Sequence, residues 1–175
     1  MSRVWGTFQI GNTGIHINHR MRFLALDDGN PNQVEPGYKV RHTSNPYMAL
    51  KNGNLYILGG NTGADTQSQG QTQQFINVVE FGLTPQEAVA RPRFLTTAFP
   101  SAVYPYQVRN NLQIEEGMPQ SLVDGLINLG HDVVIGTGTW GSANMIVVGE
   151  DGLDLELGSD PRVGISFGYK KFEVD

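Results

Sequence analysis

Residues 59–64 read Gly-Gly-Asn-Thr-Gly-Ala, directly behind the apolar run Leu55-Tyr56-Ile57-Leu58 and ahead of a polar stretch rich in glutamine. A buried strand that opens into a glycine-rich turn and then a helix presents backbone N–H groups to a ligand or to a developing negative charge. Such a turn serves acyl transfer, where a tetrahedral oxyanion has to be held. The same residues also turn a strand into a helix with no chemistry attached, so the rest of the chain has to separate the two readings.

Other patterns lead less far. Residues 136–141, Gly-Thr-Gly-Thr-Trp-Gly, match the spacing G-x-G-x-x-G, but a dinucleotide site needs a helix to begin there, and Ser-Ala-Asn-Met-Ile-Val-Val reads as a strand. His16 and His19 lie three apart, which on a strand puts them on opposite faces, and His42 and His131 are isolated, so neither metal nor cofactor is expected. Asp27-Asp28 and Glu115-Glu116 are adjacent carboxylates that read as solvated turn residues, and no G-x-S-x-G elbow occurs. Ser2 becomes the first residue if Met1 is removed, and its own amine could then act as its base; the plain alternative is an ordinary second residue.

The elements that must position the turn are legible in outline. The first 21 residues read as strand, turn, strand, and residues 24–46 as a long ordered loop of the kind that is often functional. Asn52-Gly53 between two apolar runs marks a hairpin. Residues 71–81 carry a helical apolar pattern ended by Gly82, and Thr84-Pro85-Gln86-Glu87 is a capping box that starts a short second helix stopping before Pro92. Residues 119–129 read as a third helix with Leu122, Val123, Leu126 and Ile127 on one face, ended by Gly130. Strands are expected over 132–135, 144–148 and 153–157, the last two joined through Glu150-Asp151-Gly152. This order predicts an α+β fold with a mostly antiparallel sheet, not alternating βαβ units.

The composition fits one domain over residues 1–175. Hydrophobic content of 39% and charge of 17% describe a globular chain, and the 22 glycines call for many tight turns. A net charge of −5 with no basic cluster argues against nucleic acid. No apolar run is long enough to span a membrane and no signal-peptide pattern opens the chain, so the sequence as given reads as cytoplasmic. The absence of cysteine removes disulfides and thiolate nucleophiles.

Four stretches in order resemble one family, the γ-glutamyltransferases (γ-glutamyl transpeptidases), in the carboxy-terminal part of their small subunit. Asn12–Met21 resembles G-I-x-x-N-N-x-M, and residues 44–67 resemble an S-P-x hairpin followed by G-[ST]-P-G-G. Residues 73–94 follow Q-x-x-x-N-x-x-x-x-G-x-x-x-x-E-A-x-x-x-P-R-F through Gln74, Asn77, Gly82, Glu87, Ala88, Pro92, Arg93 and Phe94. Gly158-Ser159-Asp160-Pro161-Arg162 with Gly168-Tyr169 resembles the terminal A-S-D-P-R…G-Y.

The resemblance implies part of an N-terminal-nucleophile hydrolase with an α/β/β/α sandwich. In that family a precursor cuts itself, and the new amino-terminal Thr attacks a γ-glutamyl amide. It implies that the backbone N–H groups of Gly63 and Ala64 form the oxyanion site, and that Arg20, His42, Thr43, Asn61 and Ser2 border the substrate. Ala64 stands for the family's second Gly and keeps the donor if its φ is negative. The resemblance also implies that the nucleophile stands on a segment upstream of the residues given. His42 and Thr43 replace paired serines that hold the substrate carboxylate, Phe23 replaces the acid that holds its ammonium, and Arg20 replaces a neutral amide. The resulting expectation is a γ-glutamyltransferase-like amidohydrolase or acyltransferase subunit. It takes a small-molecule amide and depends on a complementary subunit or self-association to cover its open sheet. The alternative is a non-catalytic scaffold or ligand-binding remnant of the same fold. Gly63→Val is expected to harm activity far more than stability.

Overall fold

The computed structural model describes residues 8–102, 105–136 and 140–163. Ser2, the first expected strand, the middle of the 136–141 motif and the Gly168-Tyr169 tail lie outside these. Among the described residues two sheets are present. The larger, in the order β1-β2-β6-β7, is antiparallel throughout and built from β1 (Pro46–Lys51), β2 (Asn54–Asn61), β6 (Ala143–Val148) and β7 (Leu155–Ser159). The smaller joins β3 (Phe94–Thr96), β4 (Leu112–Glu115) and β5 (Val133–Gly136). The helices are α1 (Thr66–Val79), α2 (Pro85–Ala90) and α3 (Gln120–Asn128), with 3-10 turns at Arg20–Phe23 and Pro161–Val163.

Local signals hold well. Asn52 and Gly53 both take positive φ, 54° and 83°, as a type I′ hairpin turn requires. Thr84 caps α2 reciprocally: its Oγ1 accepts from Glu87 N at 3.2 Å and its N donates to Glu87 Oε2 at 2.9 Å, which lowers the Glu87 pKa. Gly82 follows α1 as expected, donating to Val78 O.

The differences are long-range. Helix α1 begins at Thr66, five residues ahead of the expected start at 71, because the polar Gln-rich turn is itself helical. Its glutamines explain that composition. Gln69 and Gln73 each bond both ways to the backbone of β3, at Thr96 and Phe94, so side-chain amides stand in for a missing neighbouring strand. Gln67 and Gln71, one turn apart, donate to the carbonyls of Asn61 and Asn45. The expected α+β fold with mostly antiparallel sheet is present, with one local exception. Strands β4 and β5 pair in parallel with α3 between them, so one βαβ unit is present and the smaller sheet is mixed. Helix α3 buries only Val123 of its apolar stripe, leaving Leu122 and Ile127 exposed.

The core lies between the larger sheet and α1 and α2, where Ile57, Ala143 and Met145 meet Val78, Ala88 and Val89. Alternation puts Met48, Leu50, Leu58, Ile146 and Leu157 on the opposite face, and Met48 and Leu50 are 64% and 63% exposed. Helices therefore cover one face of this sheet, and apolar side chains line the other. No helix among the described residues is long and apolar enough to cross a membrane.

Tyr47 packs edge-on to Phe75 on the helix side, its hydroxyl buried without a hydrogen-bond partner among the described residues. Burial pushes its pKa from 10.0 up to about 12. The folded value lies above the unfolded one, so this contribution to stability is complete below pH 10 and is lost as pH rises through about 12. Alkaline titration of phenolate absorbance should show one late-titrating tyrosine, absent in Tyr47→Phe.

Candidate active site

The turn after β2 forms the wall of a cleft of about 560 Å³. Its two positive-φ residues are Gly63 at 120° and Ala64 at 49°. Ala64 does not take the negative φ set as the condition for keeping its donor, and that condition is overturned: the alanine adopts the left-handed conformation that a glycine would, and its N–H is left without an acceptor among the described residues. Its neighbours impose it. Thr62 N donates to Ser142 O at 2.8 Å and Ser142 N returns to Thr62 Oγ1 at 2.8 Å, so the turn is stitched to the start of β6. Gly63 O accepts from both N and Oγ1 of Thr66, and Ala64 O accepts from Gln67 N, which makes these carbonyls the first acceptors of α1. Asp65, at the helix N-cap position, turns its carboxylate away and accepts from Ala102 N at 2.9 Å.

The N–H groups of Gly63 and Ala64 have no acceptor among the described residues. Two adjacent free donors at the start of an uncapped 14-residue helix are groups that can hold negative charge. A left-handed alanine costs on the order of 1–2 kcal/mol. Ala64→Gly is therefore expected to raise stability by about 0.5–1 kcal/mol in urea unfolding while leaving the donors in place.

Arg20, His42, Thr43 and Asn61 line the same cleft as Gly63 and Ala64. Arg20 comes from the first 3-10 turn, and His42 and Thr43 from the segment leading into β1, where His42 Nδ1 lies 3.3 Å from Ser44 O. Asn61 ends β2, with both amide atoms buried and unpartnered among the described residues, against Gly70 of α1. Ser2 lies outside the described residues.

Sequence reasoning missed three contributors. Arg41 lines the cleft, stacked 4.4 Å over the Phe23 ring and donating to Ala102 O at 2.7 Å. Asp65 grips the N–H of the same Ala102. Gly141, at φ 79°, lies so close beneath the turn that a Cβ would collide with Thr62 O and approach Gly63 Cα to 3.0 Å. The glycine-rich 136–141 motif carried that signal, as a backbone that has to come close to something, although the nucleotide template did not fit.

Behind Gly141 stands a buried ring of four charges, one of them Glu115, which is not the solvated turn residue expected but the buried end of β4. Arg93 Nη2 meets Glu115 Oε1 at 3.1 Å, Arg93 Nη1 meets Asp160 Oδ2 at 3.4 Å, and Arg162 closes the ring to Asp160 at 2.8 Å and Glu115 at 2.6 Å. Burial of Arg162 opposes its charge, but Asp160 and Glu115 outweigh burial and leave its pKa raised. Arg93 also donates to Gly141 O at 3.3 Å, and Asp160 accepts from Ala143 N, so the ring holds the strand entry that backs the turn.

An α+β assembly with helices on one sheet face, an apolar opposite face and paired donors where a strand enters a helix defines the α/β/β/α scaffold of N-terminal-nucleophile hydrolases. It matches the crystal structure of γ-glutamyltranspeptidase from Helicobacter pylori with a TM-score of 0.73 and 25% identity, covering 90% of this chain and 87% of that one. The family Gamma-glutamyltranspeptidase matches residues 5–166, and the chain belongs to it. It is 33% identical over 155 residues to the glutathione hydrolase-like YwrD proenzyme of Bacillus subtilis, covering 87% of this chain and 28% of that protein. It is 32% identical over 161 residues to the oxamate amidohydrolase proenzyme of Klebsiella pneumoniae, covering 90% and 29%. The chain thus spans less than a third of the length of these relatives.

Proposed function

We propose that this chain is the carboxy-terminal part of the small subunit of a γ-glutamyltransferase-like amidohydrolase or acyltransferase. It supplies the oxyanion turn and the pocket loops, and the Thr nucleophile stands on another segment. The observation that carries this reading is the pair of unpartnered N–H groups at Gly63 and Ala64 on the wall of a cleft that also gathers Arg20, His42, Thr43 and Asn61. In the reaction, Thr Oγ adds to the amide carbonyl, and the two N–H groups hold the resulting oxyanion. The amine leaves, and water or an amine then takes the acyl group from the Thr. Arg20, His42, Thr43 and Asn61 border the acyl group.

The apolar sheet face that the described residues leave exposed at Met48 and Leu50 supports a complementary segment packed across it. The test is native mass spectrometry of the protein from its source cells, with amino-terminal sequencing of every chain and an assay for amide hydrolysis. A co-purifying chain that begins with Thr, together with turnover, is expected, while residues 1–175 alone should hydrolyse no γ-glutamyl anilide. A lone, inactive chain would instead make the protein a scaffold or ligand-binding remnant.

A further inference from the structure

The first part of the long loop, residues 24–39, takes no part in the reading above, yet it is built as a wall. Its base closes where Ala25 N donates to Asn32 O at 2.7 Å and Val34 N donates to Ala25 O at 3.0 Å, with Ala25 fully buried. Tyr38 Oη crosses the loop to Pro31 O at 3.2 Å. Together with residues 99–102 and Tyr106, this loop walls a second hollow of about 600 Å³, as large as the cleft beside it. Both volumes fall within the roughly 300–1,000 Å³ of small-molecule sites. Phe23, Arg41, Asp65 and Ala102 line both hollows and form the partition between them. That partition is tied at Ala102, whose O accepts from Arg41 at 2.7 Å and whose N donates to Asp65 Oδ2 at 2.9 Å.

Two cations and four rings meet in the second hollow: Lys39 and Arg41 with Phe23, Tyr38, Phe99 and Tyr106. Neither cation forms an ion pair with a described residue. The Arg41 guanidinium is fixed 4.4 Å over the Phe23 ring, and a flat cation held this way can stack on a further ring from its other side. Tyr38 and Tyr106 direct their hydroxyls to backbone carbonyls, those of Pro31 and Phe23, so what they offer an occupant is ring surface. Tyr106 is also strained: its φ of 55° lies in the left-handed region, which a bulky side chain rarely adopts. Strain of that kind gathers at ligand sites, where the surrounding contacts hold it in place. We propose that this hollow is a second binding site, separate from the acyl cleft, for an aromatic carboxylate. The ring of the ligand stacks among the aromatic side chains and the Arg41 plane, and its carboxylate meets Lys39. The site does not depend on the catalytic reading of the first cleft.

The probe is 2-naphthoate, whose own fluorescence reports binding, titrated into the protein as isolated from its source cells. It should bind about tenfold more tightly than cyclohexanecarboxylate, which keeps the charge without the aromatic ring, and than 2-naphthalenemethanol, which keeps the ring without the charge. Lys39→Gln, a change at an exposed side chain, should weaken naphthoate about tenfold and leave 2-naphthalenemethanol unchanged. Phe99→Ala should weaken both, and it keeps the test open should the Lys39 variant fail to fold. His42 lines the first cleft and not the second, so His42→Ala should leave the naphthoate affinity as it is. A loss in His42→Ala equal to that in Lys39→Gln would put the probe in the acyl cleft and overturn the proposal. No binding of naphthoate, equal binding of either comparison compound, or an unchanged affinity in both the Lys39 and the Phe99 variants would overturn it as well. None of these readouts needs a nucleophile, so naphthoate binding without amide turnover would refute the catalytic reading and leave this site standing.

Discussion

Asp160→Ala is expected to destabilise the fold by about 3–5 kcal/mol, the range for removing one partner from a buried ion pair. The Asp160 side chain is fully buried and faces Arg93 and Arg162 on its two oxygens. Without it, two guanidiniums share Glu115 alone, and the backbone N–H groups of Ala143 and Arg162 lose their acceptor. Arg162 also closes α2, donating to the carbonyls of Val89 and Arg91, so the loss spreads to the helix that covers β6 and β7. A double-mutant cycle between Asp160→Asn and Arg93→Met by urea unfolding measures the pairing itself. Strong coupling is expected, since each variant alone leaves a buried charge unbalanced. Near-additivity would reduce the ring to independent contacts.

That ring also explains why two separated motifs belong together. Pro-Arg-Phe at 92–94 and Ser-Asp-Pro-Arg at 159–162 could each be matched to a family pattern, but their shared purpose is visible only once β4 brings Glu115 between them. The parts legible in the sequence were those with local causes: the Asn52-Gly53 turn, the Thr84 cap and the Gly82 stop each depend on neighbours within a few residues. Strands β3 and β4, of three and four residues, were not legible, because β3 is held on one side by β4 and on the other by the glutamines of α1. The parallel pairing of β4 with β5 was hidden for the same reason. Arg20, His42, Thr43, Asn61, Gly63 and Ala64, named from the family resemblance, line one cleft, which says where they stand and not what they do. Arg41 and Asp65 were not named, since their meeting at Ala102 joins segments 61 and 37 positions apart.

Gly141→Ala should be the substitution that separates the turn's chemistry from its fold. The added Cβ meets Thr62 O, a backbone atom that cannot rotate away, and lies 3.0 Å from Gly63 Cα. The residue's own φ of 79° adds strain for any side chain. One of the two backbones has to move, and the Thr62–Ala64 segment is the lighter one to displace, because the 140–143 side is anchored by Arg93 at Gly141 O and by Asp160 at Ala143 N. Overpacking of this kind costs about 1–3 kcal/mol. A displaced pair of oxyanion donors costs far more in rate, on the order of 10²–10³ in kcat. In the assembly proposed above, the fall should therefore appear in kcat with KM little changed, because the cleft lining at Arg20, Arg41, His42 and Thr43 stands on other segments. Gly63→Val discriminates less well than its position in the turn implied: its Cβ strikes Thr66 Oγ1 and comes within 3.0 Å of Trp140 O, so stability and activity fall together. If Gly141→Ala lost stability with kcat intact, the N–H groups of Gly63 and Ala64 would be structural, and the oxyanion would have to be held elsewhere in the cleft.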